Sequence, residues 1–288
     1  MFLKSFELLM RLVVQGRAIS LSHLTHIHRI IGGHAQFIQV GEFAYYLPIQ
    51  QQDTAEVARF CAEQLLDYAV VPDQQRLNQF GLCVMDMDST LISIECIDEI
   101  ADMMGIKPQI AEITEAAMRG ELDFAASLKK RVALLKGLPE SALHRVIEER
   151  LQLNPGAQAW ITACKAHRIS TMVVSGGFTF FANHVKQLLG LDYAVSNTLE
   201  IVDGKLTGNI LGDIVDAQRK ADELVKLRDQ LGLKPEQTIA IGDGANDLKM
   251  MAAAAIGIAY HAKPVVQQQA KYALNHTGLD GVINLLSA

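Results

Sequence analysis

Two aspartates spaced two residues apart, Asp86 and Asp88, end a short apolar run in the stretch GLCVMDMDSTL, and Ser89 and Thr90 follow at once. Leu82, Cys83, Val84 and Met85 have the length and composition of a buried strand, so both carboxylates emerge at its carboxyl end, where open α/β sheets hold ligands. If extended geometry continues past the strand, residues i and i+2 face one side about 6.6 Å apart. Two carboxylates can divide a reaction between them: one attacks a phosphorus atom and holds it as an acyl phosphate, while the other gives a proton to the leaving group. A calcium loop also starts D-x-D, but Leu91 occupies the turn-glycine position and Ile97 that of the bidentate glutamate. A solvated turn after the strand is the remaining alternative, and residues far downstream decide against it.

The elements that must position this pair are read from the whole chain. Of 288 residues half are hydrophobic, enough for one sizeable core and a second small domain. The net charge of −6 and the scattered lysines and arginines give no footprint for nucleic acid or an anionic membrane, so an anionic substrate must be held by a few local cations. Cys61, Cys83, Cys96 and Cys164 form no C-x-x-C pair and read as buried small side chains in a reducing compartment. Glu7 and Arg11 interrupt the apolar start, so no signal core or membrane span is expected, and the expected compartment is the cytoplasm.

Phe2, Phe6, Leu9 and Val13 fall on one helical face, and a second helix, Leu21 to Ile31, stops at Gly32-Gly33. Strands over Ala35 to Val40 and Ala44 to Ile49, a helix from Thr54 to Tyr68 and a strand near Ala69 to Val71 complete a small α+β unit over 1–75, with Pro72 to Gln79 as linker. This unit resembles the small regulatory modules of the ACT type. His23, His26, His28 and His34 lack the spacing of a metal site and read as a solvated helix face. Beyond Asp88, four helices run over Ile94 to Gly105, Lys107 to Arg119, Asp123 to Leu135 and Pro139 to Leu151; a helical block inserted after the first core strand, about 94–168, is a candidate lid. Strand and helix then alternate to the end, with Asp203-Gly204 as a hairpin turn between Glu200 to Val202 and Lys205 to Asn209. The fold class is α/β, a doubly wound parallel sheet over 76–288.

Three further groups fall at strand ends or on a helix of this sheet: Ser175-Gly176-Gly177, Lys220, and Gly242-Asp243-Gly244-Ala245-Asn246-Asp247. Together with Asp86-Met87-Asp88-Ser89-Thr90 they resemble, in order and context, the four motifs of the haloacid-dehalogenase (HAD) phosphatases. The resemblance implies a HAD-like core in which Asp86 is the nucleophile and Asp88 the acid and later the base. Ser175 and the Gly176 N–H would hold phosphate oxygens, and Lys220 would add a cation. It also implies Mg²⁺ as cofactor, on Asp86, the Asp88 backbone carbonyl and Asp243, with Asp247 and Asn246 supporting. Ion-pumping ATPases resemble the first motif but lack the second aspartate, and no Walker phosphate loop is present.

The inserted block resembles the cap of the phosphoserine phosphatase family through Ile94 to Glu99, Ala117 to Phe124 and Lys130 to Val132; the likeness continues through Ser175 to Phe181 and Thr198 to Gly212. A substrate carrying an ammonium and a carboxylate beside its phosphate needs an anion and a bidentate cation on the lid, and Glu95 and Arg131 are of those types. Met118 and Phe124 match the cap's apolar contacts. The resemblance implies hydrolysis of O-phospho-L-serine, a small-molecule substrate. Another small phosphomonoester, transfer to an acceptor such as homoserine, or a non-catalytic serine sensor are the alternatives. Neither nucleic acid nor membrane is an expected partner, and a homodimer is left open.

Overall fold

The computed structural model describes residues 9–50 and 53–287, and two sheets organise them. Strands β1 (Leu9–Gln15), β2 (Ile38–Gly41), β3 (Ala44–Gln50) and β4 (Asp67–Pro72), with helices α1 (Leu21–Ile31) and α2 (Ala55–Glu63), form the first unit. Its antiparallel sheet has the order β2-β3-β1-β4, the β-α-β-β-α-β pattern of ferredoxin-like folds. The expectation of a helix through Leu9 and Val13 is therefore corrected to a strand, while Phe2 and Phe6 lie outside the described residues. The reason is burial on both faces: Leu12, Val13 and Val14 are all fully buried, so the run lacks the alternation that marks a half-exposed strand. The helix expected to reach Tyr68 ends at Glu63, because Leu65 turns left-handed at φ +56° and β4 starts at Asp67. The strand expected from Ala35 starts only at Ile38.

One face of this sheet packs on its own helices through Leu12, Val14, Ile27 and Leu47. The other, through Val13, Ala69 and Val71, joins the same hydrophobic cluster as the rest of the chain. The stretch read as a linker is packed down: Arg76 donates to the Ser287 carbonyl at 2.6 Å and pairs with Asp73, and Leu77 and Phe80 are buried.

The larger unit follows in order: β5 (Leu82–Met85), α3 (Cys96–Met103), α4 (Lys107–Met118), α5 (Phe124–Ala133), α6 (Ser141–Glu149), α7 (Ala157–Ala166), β6 (Ser170–Phe178), α8 (Thr179–Leu189), β7 (Tyr193–Val202), β8 (Lys205–Leu211), α9 (Ala217–Gln230), β9 (Thr238–Gly242), α10 (Leu248–Ala253), β10 (Ile256–Tyr260), α11 (Pro264–Gln267), β11 (Tyr272–Leu274) and α12 (Gly281–Leu286). The sheet order is β11-β10-β9-β5-β6-β7-β8, parallel except for β8, which turns back through Asp203 and Gly204, both at positive φ as a type I′ hairpin requires. Strand β5 and its neighbours β6 and β9 sit centrally, and β5 and β9 are buried throughout as strands covered on both faces are. Helices α3 to α7 lie between β5 and β6; α4 packs on α3 and α5, and α7 on β6, α8 and α12.

Candidate active site

The chain leaves β5 through a tight turn. The Asp86 N–H still donates to Ile241 O of β9 at 3.0 Å, but the Met87 carbonyl then collects the amides of Thr90, Leu91 and Ile92 at 3.2, 2.8 and 3.0 Å, and Ser89 is left-handed at φ +55°. Extended geometry thus stops at Met85, a correction to the expectation of an extended pair; the turn nonetheless brings both carboxylates to the lining of one cavity of about 420 Å³. Asn154, at the foot of the insertion, holds the turn by donating from Nδ2 to the carbonyls of Ser89, Thr90 and Ile92 at 3.2, 2.8 and 3.1 Å.

Around Asp86 the three other segments converge. Lys220 of α9, fully buried, places Nζ 2.6 Å from Asp86 Oδ2 and 2.8 Å from Asp247 Oδ1. Burial works to lower this ammonium, but Asp86 and Asp247 outweigh it and raise its pKa above the usual lysine value. Asp86 Oδ1 accepts the Met87 N–H at 2.7 Å, and Asn246 Nδ2 lies 3.5 Å from Oδ2. Asp247 also accepts the Gly244 N–H at 3.0 Å, so both its oxygens are engaged.

Carboxyl groups crowded into a cleft resist ionising together. Burial first, then the charge of Asp86, pushes Asp243 up to about 6 and Asp247 up to about 7. Asp88 is pushed to about 6, chiefly by burial, with the Cys96 hydrogen bonds opposing and Asp86 adding to the rise; the Cys96 N–H at 3.1 Å fixes its Oδ1.

Ligand oxygens of Asp86, Asp243 and Asp247 lie within 4.8 Å of one another, at the ends of β5 and β9. A set of clustered, partly buried carboxylates fits a hard divalent cation, which offsets the repulsion that lifts their pKa values. Among the described residues no comparable histidine or cysteine group appears. The α1 histidines do other work: His23 accepts the Ser20 N–H at 3.3 Å, His26 stacks on Phe60 and His28 binds the Ala35 carbonyl at 2.8 Å.

On the far side of Asp88 lies the end of β6. Ser175 is buried, with Oγ accepting the Gly177 N–H at 2.8 Å. A Cβ on Gly176 would stand 2.8 Å from the Phe124 ring, and one on Gly177 would stand 2.6 Å from Asp88 Oδ2, so a side chain at Gly176 would push on Phe124 and one at Gly177 on the Asp88 carboxylate. Ser175, Gly176 and Gly177 line the same cavity as Asp86 and Asp88.

The insertion closes the cavity from above. Glu95, Phe124 and Arg131 line it, as do Ile97, Thr114 and Leu128. Glu95, exposed at the mouth, receives Ser89 Oγ–H at 2.7 Å; the cleft walls and then the charge of Asp88 push it up to about 7. Arg131 is half-buried, and its Nε is shielded from solvent with no hydrogen-bond partner among the described residues. Its pKa is lowered by burial, with Asp98 and Glu95 opposing. Met118 ends α4, and its side chain lies outside the described residues.

Sequence reasoning assigned no contact to Thr90, whose hydroxyl donates to Asp243 Oδ1 at 3.0 Å across 153 residues, nor to the mouth residues Lys263, Val265 and Val266. Thr90 stood inside a motif; Lys263, Val265 and Val266 carried no signal, because they come from the start of α11, the short helix after β10, that only the sheet order brings near.

The family model for haloacid dehalogenase-like hydrolases matches residues 83–252. A phosphoserine phosphatase of Haemophilus influenzae is 44% identical over 278 residues, covering 96% of this chain and 88% of that protein. One of Vibrio cholerae is 52% identical over 223 residues, 77% of this chain and 68% of that protein. The crystal structure of a probable phosphoserine phosphatase from Vibrio cholerae superposes with a TM-score of 0.85 at 43% identity, over 96% of this chain and 86% of that one. With Asp86, Asp88, Ser175, Asp243 and Asn246 lining one cavity and Lys220 held on Asp86 behind it, this chain belongs to the haloacid dehalogenase-like hydrolases and, within them, to the phosphoserine phosphatase family.

Proposed function

We propose that this chain is a cytoplasmic, Mg²⁺-dependent phosphatase that hydrolyses O-phospho-L-serine to L-serine and orthophosphate, the closing step of serine biosynthesis. In this reading the Asp86 carboxylate attacks phosphorus, and the bond between phosphorus and the serine oxygen breaks as Asp88 gives its proton to that oxygen. Asp88, now a carboxylate, takes a proton from water, whose oxygen attacks the aspartyl phosphate, releases orthophosphate and restores Asp86. A carboxyl raised to about 6 is poised to give and take a proton near neutral pH. Lys220 holds Asp86 in place and offsets charge, while the Ser175 hydroxyl and the Gly176 N–H bind the phosphate oxygens. Asp86, the Asp88 carbonyl and Asp243 would hold Mg²⁺, with Asp247 and Asn246 supporting; when bound it offsets the phosphate's negative charge.

The observation that carries the amino-acid part is Arg131: a guanidinium with a shielded, partnerless Nε lines the cavity that holds Asp86, and Glu95 lines its mouth. A buried donor without a partner is costly, and a substrate carboxylate supplies one. Glu95 answers the ammonium, Phe124 walls the pocket, and the proposal extends to Met118 as a further apolar wall.

The test is phosphate release from a panel of phosphorylated amino acids, phosphoethanolamine and sugar phosphates with Mg²⁺, with and without homoserine as acceptor. Phosphoserine should lead in kcat/KM, with free phosphate as product. Arg131→Ala should cost phosphoserine at least about 10²-fold in kcat/KM, since hydrogen bonds to charged groups contribute about 1.5–3 kcal/mol each. Phosphoethanolamine, which has no carboxylate, should lose little. Equal losses for both in a protein of unchanged stability would overturn the assignment of Arg131.

A further inference from the structure

Asn197 of β7 is 1% exposed and does not line the cavity, yet its side chain joins two segments that carry phosphate-binding groups. Nδ2 donates to the Gly176 carbonyl at 2.8 Å, and Oδ1 accepts the Val215 N–H at 2.8 Å. Both partners are backbone groups of fixed polarity, so the amide has one orientation. The Gly176 carbonyl shares a peptide unit with the Gly177 N–H, which donates to Ser175 Oγ. Because that lone pair is taken by a donor, the hydroxyl hydrogen of Ser175 is left for another acceptor, and Ser175 lines the cavity.

Two consecutive glycines have no Cβ to restrain the peptide between them, and a flip would turn its carbonyl towards the place where an anion binds. Asn197 grips one end of this peptide. Its other arm grips Val215, next to Asp216, whose side chain caps α9 by accepting the Arg219 N–H at 2.8 Å; Lys220 follows in the first turn of that helix.

We propose that Asn197 is a positioning residue for phosphate: it locks the Gly176–Gly177 peptide so that the Ser175 hydroxyl keeps its hydrogen free for the cavity, and ties that lock to the start of the helix bearing Lys220. The proposal deepens the function proposed above and rests on its phosphate half alone. The test is calorimetric titration of orthophosphate into the Mg²⁺-loaded protein. Asn197→Ala should weaken binding about tenfold, as should Ser175→Ala, the scale of one hydrogen bond to a charged group. The double variant should fall well short of the product of the two losses, because one residue acts partly through the other. Fully multiplicative losses, or parental affinity in folded Asn197→Ala, would overturn it. If the variant does not fold, hydrogen exchange on the unaltered chain decides: the Gly177 amide should be protected without ligand, and free exchange there would overturn the lock. Orthophosphate has no amino-acid part, so failure of the phosphoserine assignment appears in the substrate panel and leaves this result standing.

Discussion

Asp86 is the proposed nucleophile, and its surroundings separate two effects of replacing it. Asp86→Asn removes the carboxylate proposed to attack phosphorus and one of the two anions beside the buried Lys220 ammonium. The expected outcome is loss of turnover together with loss of any acid-stable, hydroxylamine-labile phosphoenzyme, read by quenching a reaction with labelled substrate. Asp88→Asn keeps the nucleophile and should slow turnover by roughly 10²–10⁴-fold, the usual worth of a positioned acid and base. Substantial turnover in Asp86→Asn would sink the mechanism. At this scale the sequence was legible where a residue sits in a short motif, as Asp86, Asp88, Ser175 and Asp243 do. It was silent where partners are distant in sequence: nothing in spacing ties Thr90 to Asp243, or Asn197 to Gly176.

Among elements, β9, β5 and β6 are neighbours in the sheet, and their carboxyl ends deliver Asp243, the aspartate pair and Ser175 to one place. The carboxylates at the ends of β5 and β9 crowd one another, and a bound cation would relieve their repulsion. A ligand that binds only the folded state stabilises it by mass action, so Mg²⁺ should raise Tm in a concentration-dependent way and EDTA reverse the rise. Asp243→Asn should flatten the response; an unchanged response would place the metal elsewhere. The parallel strands were legible because covered strands read as short apolar runs, and the Asp203-Gly204 hairpin because its turn demands positive φ. Strand β1 was misread for the same cause: a strand buried on both faces keeps no period-two signature, and Leu9 and Val13 then match a helical spacing.

For the whole molecule, the first unit supplies none of the residues proposed for catalysis but shares a hydrophobic cluster with the unit that carries them. Asp67 of β4 accepts the amides of Asn275, His276 and Thr277, and Gln15 donates to the Gly281 carbonyl. We expect a fragment beginning at Asp73 to keep the site and most of its kcat per folded molecule, at a cost in stability. Uncovering the side chains that Val13, Ala69 and Val71 shield costs about 3 kcal/mol or more, which lowers Tm by roughly 10 °C for a domain of this size. Thermal melts of the fragment and of the full chain check this. An unchanged Tm would show the joint to be energetically idle, and a folded but inactive fragment would give the first unit a part in the site.

Arg11 makes the same joint from the other direction: buried in β1, it donates to the carbonyls of Gln75 and of Ser287, the latter 276 residues further along. A chain synthesised from its amino end therefore makes β1 and β4 long before α12 exists to cover them. Until α12 is made, the nascent first unit shows an uncovered apolar sheet face and a guanidinium short of one carbonyl, the kind of surface that chaperones bind and neighbouring chains stick to. Ribosome-bound chains stalled just short of residue 280 should accordingly be more protease-sensitive in β1 and β4 than released chains that include α12.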